Sequence, residues 1–130
     1  MNPSVALVAR VLLASIFLIS GVRKIMAFPI VAGMMAGKGF PMPEAMLGLT
    51  IALELVGGVL LILNVMARPV ALALAAFTFV AGAIFHNFWA KAGLPPPEYN
   101  SELNHFLKNV AIVGGLLMVA AGSSGDSKRA

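Results

Sequence analysis

Hydrophobic residues are gathered into four long runs along the chain, separated by short links that contain proline, glycine or charged residues. The runs cover residues 5–22, 43–66, 69–89 and 104–121. A hydrocarbon core of about 30 Å needs roughly 20 helical residues at about 1.5 Å each. The pattern therefore predicts an all-α integral membrane protein. Because the links are short, the helices are expected to form an antiparallel four-transmembrane-helix bundle.

A shorter apolar segment, residues 25–42, joins the first and second runs. It is interrupted by two prolines and three glycines, so it is too irregular to span a membrane. The pattern favours a short interfacial helix at about 30–36, with a re-entrant segment packed on the bundle as the alternative.

The polar loop between the third and fourth runs covers residues 91–103 and contains three successive prolines, Pro95–Pro97. Such a run favours an extended polyproline segment, which could serve as an exposed recognition surface. The fourth helix is then expected to begin near Ser101 or Asn104, which are good capping residues.

The two ends of the chain differ in character. The first run has Arg10 within it and no small-residue cleavage site after it, so it is expected to stay as a helix instead of being removed as a signal peptide. Residues 1–122 are predicted to form a single transmembrane domain, and residues 123–130 a flexible polar tail.

Composition narrows the function classes. Hydrophobic residues make up 60% of the chain and charged residues only 11%, as expected for a protein whose main partner is the lipid bilayer. The net charge of +4 is scattered, which argues against nucleic acid as a partner. There is no cysteine, which excludes thiol chemistry, and the sequence shows no metal or haem motif.

Glu54 stands in the middle of the second run, on a helical stripe with Thr50, Gly57, Gly58 and Leu61. A carboxylate at that depth costs roughly 2.5–3.5 kcal/mol on insertion scales, so it is expected to face the protein interior and to have a partner. If all four helices start from common membrane surfaces, Arg10 lies at nearly the same depth. An Arg10–Glu54 ion pair is therefore predicted, either as a structural device or as part of a functional site.

Other polar side chains recur at helical spacing near one membrane surface. Lys24, His86, His105 and Lys108 are expected to form a basic mouth above the buried pair. Simpler interpretations remain open, namely interfacial histidines bonded to backbone or water and a lysine that extends to the lipid headgroups.

The order of these features resembles the DoxX family of small four-helix membrane proteins. The matching elements are Arg10, SIFLISGVRKI (15–25), GKGFPMP (37–43), ALELVGGVLLIL (52–63), Arg68–Pro69, FHNFW (85–89) and HFLKNVAIVGGLLM (105–118). The resemblance implies that the protein is a membrane subunit associated with quinone-linked oxidation of sulfur compounds or with oxidative-stress complexes. Eukaryotic relatives resemble assembly factors and cargo receptors.

The resemblance and the polar residues together lead to a first functional hypothesis, a membrane subunit of an oxidoreductase system that binds a quinone or similar small molecule. Glu54 and His86 would handle protons as catalytic residues. Arg10, Lys24, Lys108 and Asn109 would bind the ligand. A soluble or membrane redox partner, or a bound cofactor, would complete the reaction. A homo-oligomer is also possible.

Two other functions remain open. One is a non-enzymatic scaffold, assembly factor or chaperone that recruits a partner protein through the polar loops, and the other is a small-solute transporter formed by a dimer. For all of them we expect a multi-pass protein of the inner cell membrane with both termini in the cytoplasm.

Overall fold

The computed structural model describes the backbone of residues 2–129 and the side chains of residues 2–122. This part of the chain contains helices and no strand, which confirms the predicted fold class. The elements are α1 (Pro3–Met26), α2 (Phe28–Gly37), α3 (Pro43–Leu63), α4 (Ala67–Phe85), a 3₁₀ turn (Phe88–Ala90) and α5 (Pro96–Arg129). Four of the helices, α1, α3, α4 and α5, are long and apolar enough to cross a membrane.

The chain divides into two compact units between Met66 and Ala67. The first unit contains α1, α2 and α3, and the second contains α4, the 3₁₀ turn and α5. The packing of all four long helices into one bundle, and the assignment of residues 1–122 to one domain, stay predictions.

In the first unit, α1 and α3 pack side by side and run antiparallel. Gly21 of α1 lies against Leu55 of α3, whereas Leu18, one turn earlier in α1, lies against Gly58, one turn later in α3. The buried residues of α1 are Ala14, Phe17 and Gly21, which share one face of the helix. The amino end of α1 is closed by Asn2, whose side chain accepts hydrogen bonds from the backbone of Ser4 and Val5.

The predicted short helix between the first two long helices is present as α2, which packs mainly on α3. Its placement at the membrane interface stays a prediction. The second long helix is shorter than predicted, because Asn64 adopts a left-handed conformation (φ 58°). The backbone N–H of Asn64 donates to Leu60 and Leu61 carbonyls, which ends α3 at Leu63.

In the second unit, α4 and α5 also run antiparallel, and α5 begins earlier than predicted. The expected polyproline segment is wrong, because Pro96 and Pro97 form the first turn of α5 and the Tyr99 N–H donates to the Pro95 carbonyl at 3.0 Å. The expected start at Ser101 or Asn104 is wrong for the same reason. Proline suits a first helical turn because the N–H groups there have no partner within the helix.

The flexible polar tail predicted for residues 123–130 concerns side chains that lie outside the described residues. It stays a prediction.

Candidate functional site

The most deeply buried charge in the described side chains belongs to Glu54 of α3. The Lys24 Nζ atom donates to Glu54 Oε1 at 2.6 Å, so that an ion pair connects α1 to α3. The Glu54 side chain is only 3% exposed, whereas that of Lys24 is 25% exposed. The pair can therefore be reached from outside the unit only on the Lys24 side.

The predicted Arg10–Glu54 pair is wrong. Arg10 lies eleven residues before Gly21, which places it roughly 16 Å along α1 from the level of Leu55 and Glu54. The prediction assumed that α1 ends and α3 begins at the same level. Instead α2 packs on α3, and the first turns of α3 extend past the end of α1. The Arg10 Nε atom is buried and makes no hydrogen bond within the described part of the chain.

Two glycines, one in each helix, bring α1 and α3 close together next to this pair. A Cβ atom at Gly21 would lie 2.7 Å from Leu55 Cδ2, and a Cβ atom at Gly58 would lie 2.8 Å from Leu18 Cδ2. Gly58 also faces the Ala14 carbonyl oxygen, 3.4 Å from the same Cβ position. The small residues of the predicted stripe therefore allow the approach that buries Glu54.

The second unit contains a separate polar cluster around Glu102 of α5. The Lys91 Nζ atom donates to Glu102 Oε2 at 2.8 Å and to the Phe85 carbonyl at 3.3 Å. The His86 Nδ1 atom lies 3.5 Å from the same carboxylate oxygen. The rings of His86 and His105 are stacked with centroids 4.7 Å apart. This cluster connects the segment after α4 to the first turns of α5.

Deeper in the same unit, Asn109 of α5 packs on α4. Its Nδ2 atom donates to the Thr78 carbonyl at 3.4 Å. A Cβ atom at Gly82 would lie 2.8 Å from that amide nitrogen, so the absence of a side chain at Gly82 makes room for Asn109. Thr78 and Gly82 thus lie on the face that α4 turns towards α5.

Aromatic rings hold the 3₁₀ turn against α5. Phe88 is in edge-to-face contact with Trp89, Tyr99 and Phe106, at centroid distances of 5.3, 6.0 and 5.6 Å. Trp89 also contacts Phe106 at 5.2 Å. Trp89 is 55% exposed, as is common for a tryptophan that lies near a membrane surface.

The predicted site residues are therefore distributed over both units. Lys24 and Glu54 are paired in the first unit, with Arg10 some distance along α1, and His86 and Asn109 lie between α4 and α5 in the second. Lys108 is exposed. The basic mouth would combine Lys24 with residues of the second unit, and it stays a prediction.

The sequence analysis missed the roles of Lys91 and Glu102. Both were placed in a polar loop, where charged residues need no partner. With α5 beginning at Pro96, Glu102, His105 and Asn109 recur at spacings of three and four residues and share one helix face. Recognising the prolines as a helix start would have revealed that face.

Within the described residues, no group of three or more histidine and acidic side chains is arranged to hold a metal ion. The chemistry that the residues offer is therefore proton exchange and hydrogen bonding. Over the two units, two carboxylates, two imidazoles and two lysine ammonium groups can donate, accept or orient protons, which is typical of polar groups retained inside membrane helices.

Comparison with known proteins agrees with this architecture. The DoxX family model matches residues 5–87. The chain is 30% identical over 119 residues to inner membrane protein YphA of Escherichia coli K12, covering 92% of this chain and 83% of YphA. It is 34% identical over 114 residues to inner membrane protein YqjF of the same organism, covering 88% of this chain and 80% of YqjF. No solved structure matches. The chain therefore belongs to the DoxX family and is an integral membrane protein.

Proposed function

We propose that this protein is a membrane subunit of an oxidoreductase system and that it binds a quinone, or a similar small molecule with a polar head and an apolar body, beside the Lys24–Glu54 pair. The observation that carries the proposal is the position of Glu54. A carboxylate that is 3% exposed in the middle of a membrane-spanning helix is costly to keep. Such residues are usually retained for binding or proton transfer.

The residues around the pair suit a ligand of this class. The Lys24 side chain is 25% exposed, and its ammonium group could donate to a carbonyl oxygen while it stays close to Glu54. The surface of α3 beyond Glu54 forms an open apolar groove of ≈ 290 Å³, lined by Leu55, Val56, Val59 and Leu60. An apolar ring or chain could lie along that groove with its polar head at Lys24.

A bound quinone would supply the redox chemistry by taking up two electrons and two protons. Glu54 would hold a proton near the head group, and Lys24 would orient that group. Because the chain has no cysteine, the electrons would come from a partner subunit or a second bound cofactor. His86, with Glu102 and His105, would exchange protons in the second unit. Ligand-binding roles for Arg10, Lys108 and Asn109 stay predictions.

The relatives in Escherichia coli are inner membrane proteins, so we place this protein in the inner membrane. We further propose that both of its termini lie in the cytoplasm. A fluorescent protein fused to the carboxyl terminus should be bright, and alkaline phosphatase at the same position should be inactive. The reverse result would contradict this orientation.

The scaffold hypothesis has lost its main support, because its recognition surface was the extended proline segment. Pro96 and Pro97 belong to the first turn of α5 instead. Recovery of a protein partner without any bound small molecule would restore that hypothesis.

The proposal is tested by extracting the protein from native membranes in mild detergent and measuring bound quinone per protein by mass spectrometry. We expect quinone to be enriched over bulk lipid and to be lost in Lys24→Met and in Glu54→Gln. Arg23→Met and Glu44→Gln are matched controls, because both residues are exposed and lie on the same two helices. Quinone at the bulk-lipid ratio, or equal amounts in all variants, would overturn the proposal.

A further inference from the structure

Polar side chains occur along the contact between α4 and α5, from the end at His86 and Glu102 to the middle of the contact. On one side lie Thr78, Gly82 and His86, and on the other lie Glu102, His105 and Asn109. We call these six residues the α4–α5 seam. Apart from His86, which directly follows the last residue of α4, they lie in two helices that otherwise consist mostly of apolar residues in their membrane-spanning parts.

The inner end of the seam is Thr78, which is 5% exposed. It lies near the middle of the apolar span Ala67–Ala90. Its hydroxyl is buried and has no hydrogen-bond partner among the described residues, although a helical threonine commonly bonds to the carbonyl four residues earlier. Buried polar atoms are rarely left unpaired, because desolvation without a hydrogen bond costs free energy.

The outer end of the seam is within reach of the surroundings. The side chains of Lys91, Glu102 and His86 are 29%, 21% and 32% exposed. From the carboxylate of Glu102 the polar groups continue to His86 at 3.5 Å and then to the stacked ring of His105. Asn109 follows His105 by one helical turn, about 6 Å along α5, and contacts Thr78.

We propose that the α4–α5 seam holds water molecules that extend from the membrane surface at Lys91 and Glu102 to the Thr78 hydroxyl in the middle of the membrane. Water needs two to four polar partners to stay in a protein interior, and the seam supplies hydroxyl, amide, imidazole and carboxylate groups at intervals of about one turn. A water molecule at the inner end would give the Thr78 hydroxyl the hydrogen-bond partner that it lacks among the described residues.

The hydrated seam lies within the second unit and does not depend on the proposed quinone site. A test of hydration that uses no quinone therefore separates the two proposals.

The protein has no cysteine, so single cysteines can report on water directly. N-ethylmaleimide crosses membranes but reacts with the thiolate, which forms only where water is present. In membranes containing the full-length protein, we expect Thr78→Cys to react at least about tenfold faster than Ala76→Cys. Ala76 is a matched control because it is exposed, lies at nearly the same depth of α4 and points away from the buried face of Thr78.

A second pair of positions keeps the test decisive if Thr78→Cys does not assemble. Asn109→Cys should react faster than Val110→Cys, since Val110 is the exposed neighbour of Asn109 on α5. Adding Asn109→Leu to Thr78→Cys should slow the reaction at position 78 by removing a polar group from the seam. The proposal would be overturned if the two cysteines of each pair reacted with N-ethylmaleimide at the same slow rate. It would also be overturned if Asn109→Leu left the reaction rate at position 78 unchanged.

Discussion

Lys24 and Glu54, thirty positions apart in sequence, meet at 2.6 Å between α1 and α3. The pair is asymmetric, because the Glu54 side chain is 3% exposed and the Lys24 side chain is 25% exposed. A long flexible stem lets a lysine move its charge towards water, whereas Glu54 has no such route. The charge of Glu54 therefore depends on Lys24 for its stabilisation more than the charge of Lys24 depends on Glu54.

The asymmetry predicts unequal effects of single substitutions. Lys24→Met leaves a buried carboxylate without its cation, and we expect it to lower the free energy of unfolding by about 3–5 kcal/mol. Glu54→Gln leaves a partly exposed ammonium group and should cost less, about 1–2 kcal/mol. The double variant should be more stable than Lys24→Met alone. Thermal unfolding in detergent measures all three, with Arg23→Met as the exposed control, and a larger loss for Glu54→Gln would contradict the asymmetry.

Double-mutant cycles should distinguish the observed pair from the one expected from sequence. We expect Lys24 and Glu54 to be coupled by about 1–3 kcal/mol, since they are in contact. Arg10 and Glu54 should be additive within about 0.5 kcal/mol, because Arg10 lies roughly 16 Å away along α1. The unfolding free energies of Arg10→Met, Glu54→Gln and the combined variant give the second cycle. Strong coupling there would show that the register of α1 on α3 differs from the structure.

The close approach of α1 and α3 can be tested at Gly58. In Gly58→Ala the new methyl group would lie 2.8 Å from Leu18 and 3.4 Å from the Ala14 carbonyl, so the helices must separate or Leu18 must move. We expect a loss of about 1–3 kcal/mol in unfolding free energy. Gly48→Ala is the control in the same helix, because no atom lies within 4 Å of its Cβ position. It should be neutral or stabilising by up to about 1 kcal/mol. Similar effects at both glycines would count against close packing.

Glu102 should control the position of the 3₁₀ turn. Glu102→Gln weakens the contact with Lys91 at 2.8 Å and with His86 at 3.5 Å, both partly exposed, so the loss of stability should be only about 1 kcal/mol. Trp89, the sole tryptophan, lies 5.2 Å from Phe106 and reports on this region. We expect its fluorescence to shift towards that of a more water-exposed ring. Glu98→Gln, an exposed acid in the first turn of α5, should leave the spectrum unchanged.

Much of the local structure follows from the sequence alone. Apolar runs of about 20 residues can satisfy their backbone groups in a membrane only as helices, so the four long helices were predictable without any contact information. The buried faces of α1 and α3 were predictable as well, because side chains spaced by three or four residues share one side of a helix. The burial of Glu54 belongs to the same category.

The tertiary structure decided which charges meet. Helical periodicity specifies the face of a residue but not its level against a neighbouring helix, and that level depends on how the connecting segment packs. Here α2 packs on α3, so that Glu54 lies opposite the Lys24 end of α1 instead of Arg10. The sequence alone also did not determine where α5 begins, because a run of prolines can either form an extended segment or begin a helix. Because α5 begins at the prolines, its first turns make aromatic contacts with the 3₁₀ turn. These contacts bring Glu102 within reach of Lys91 and His86.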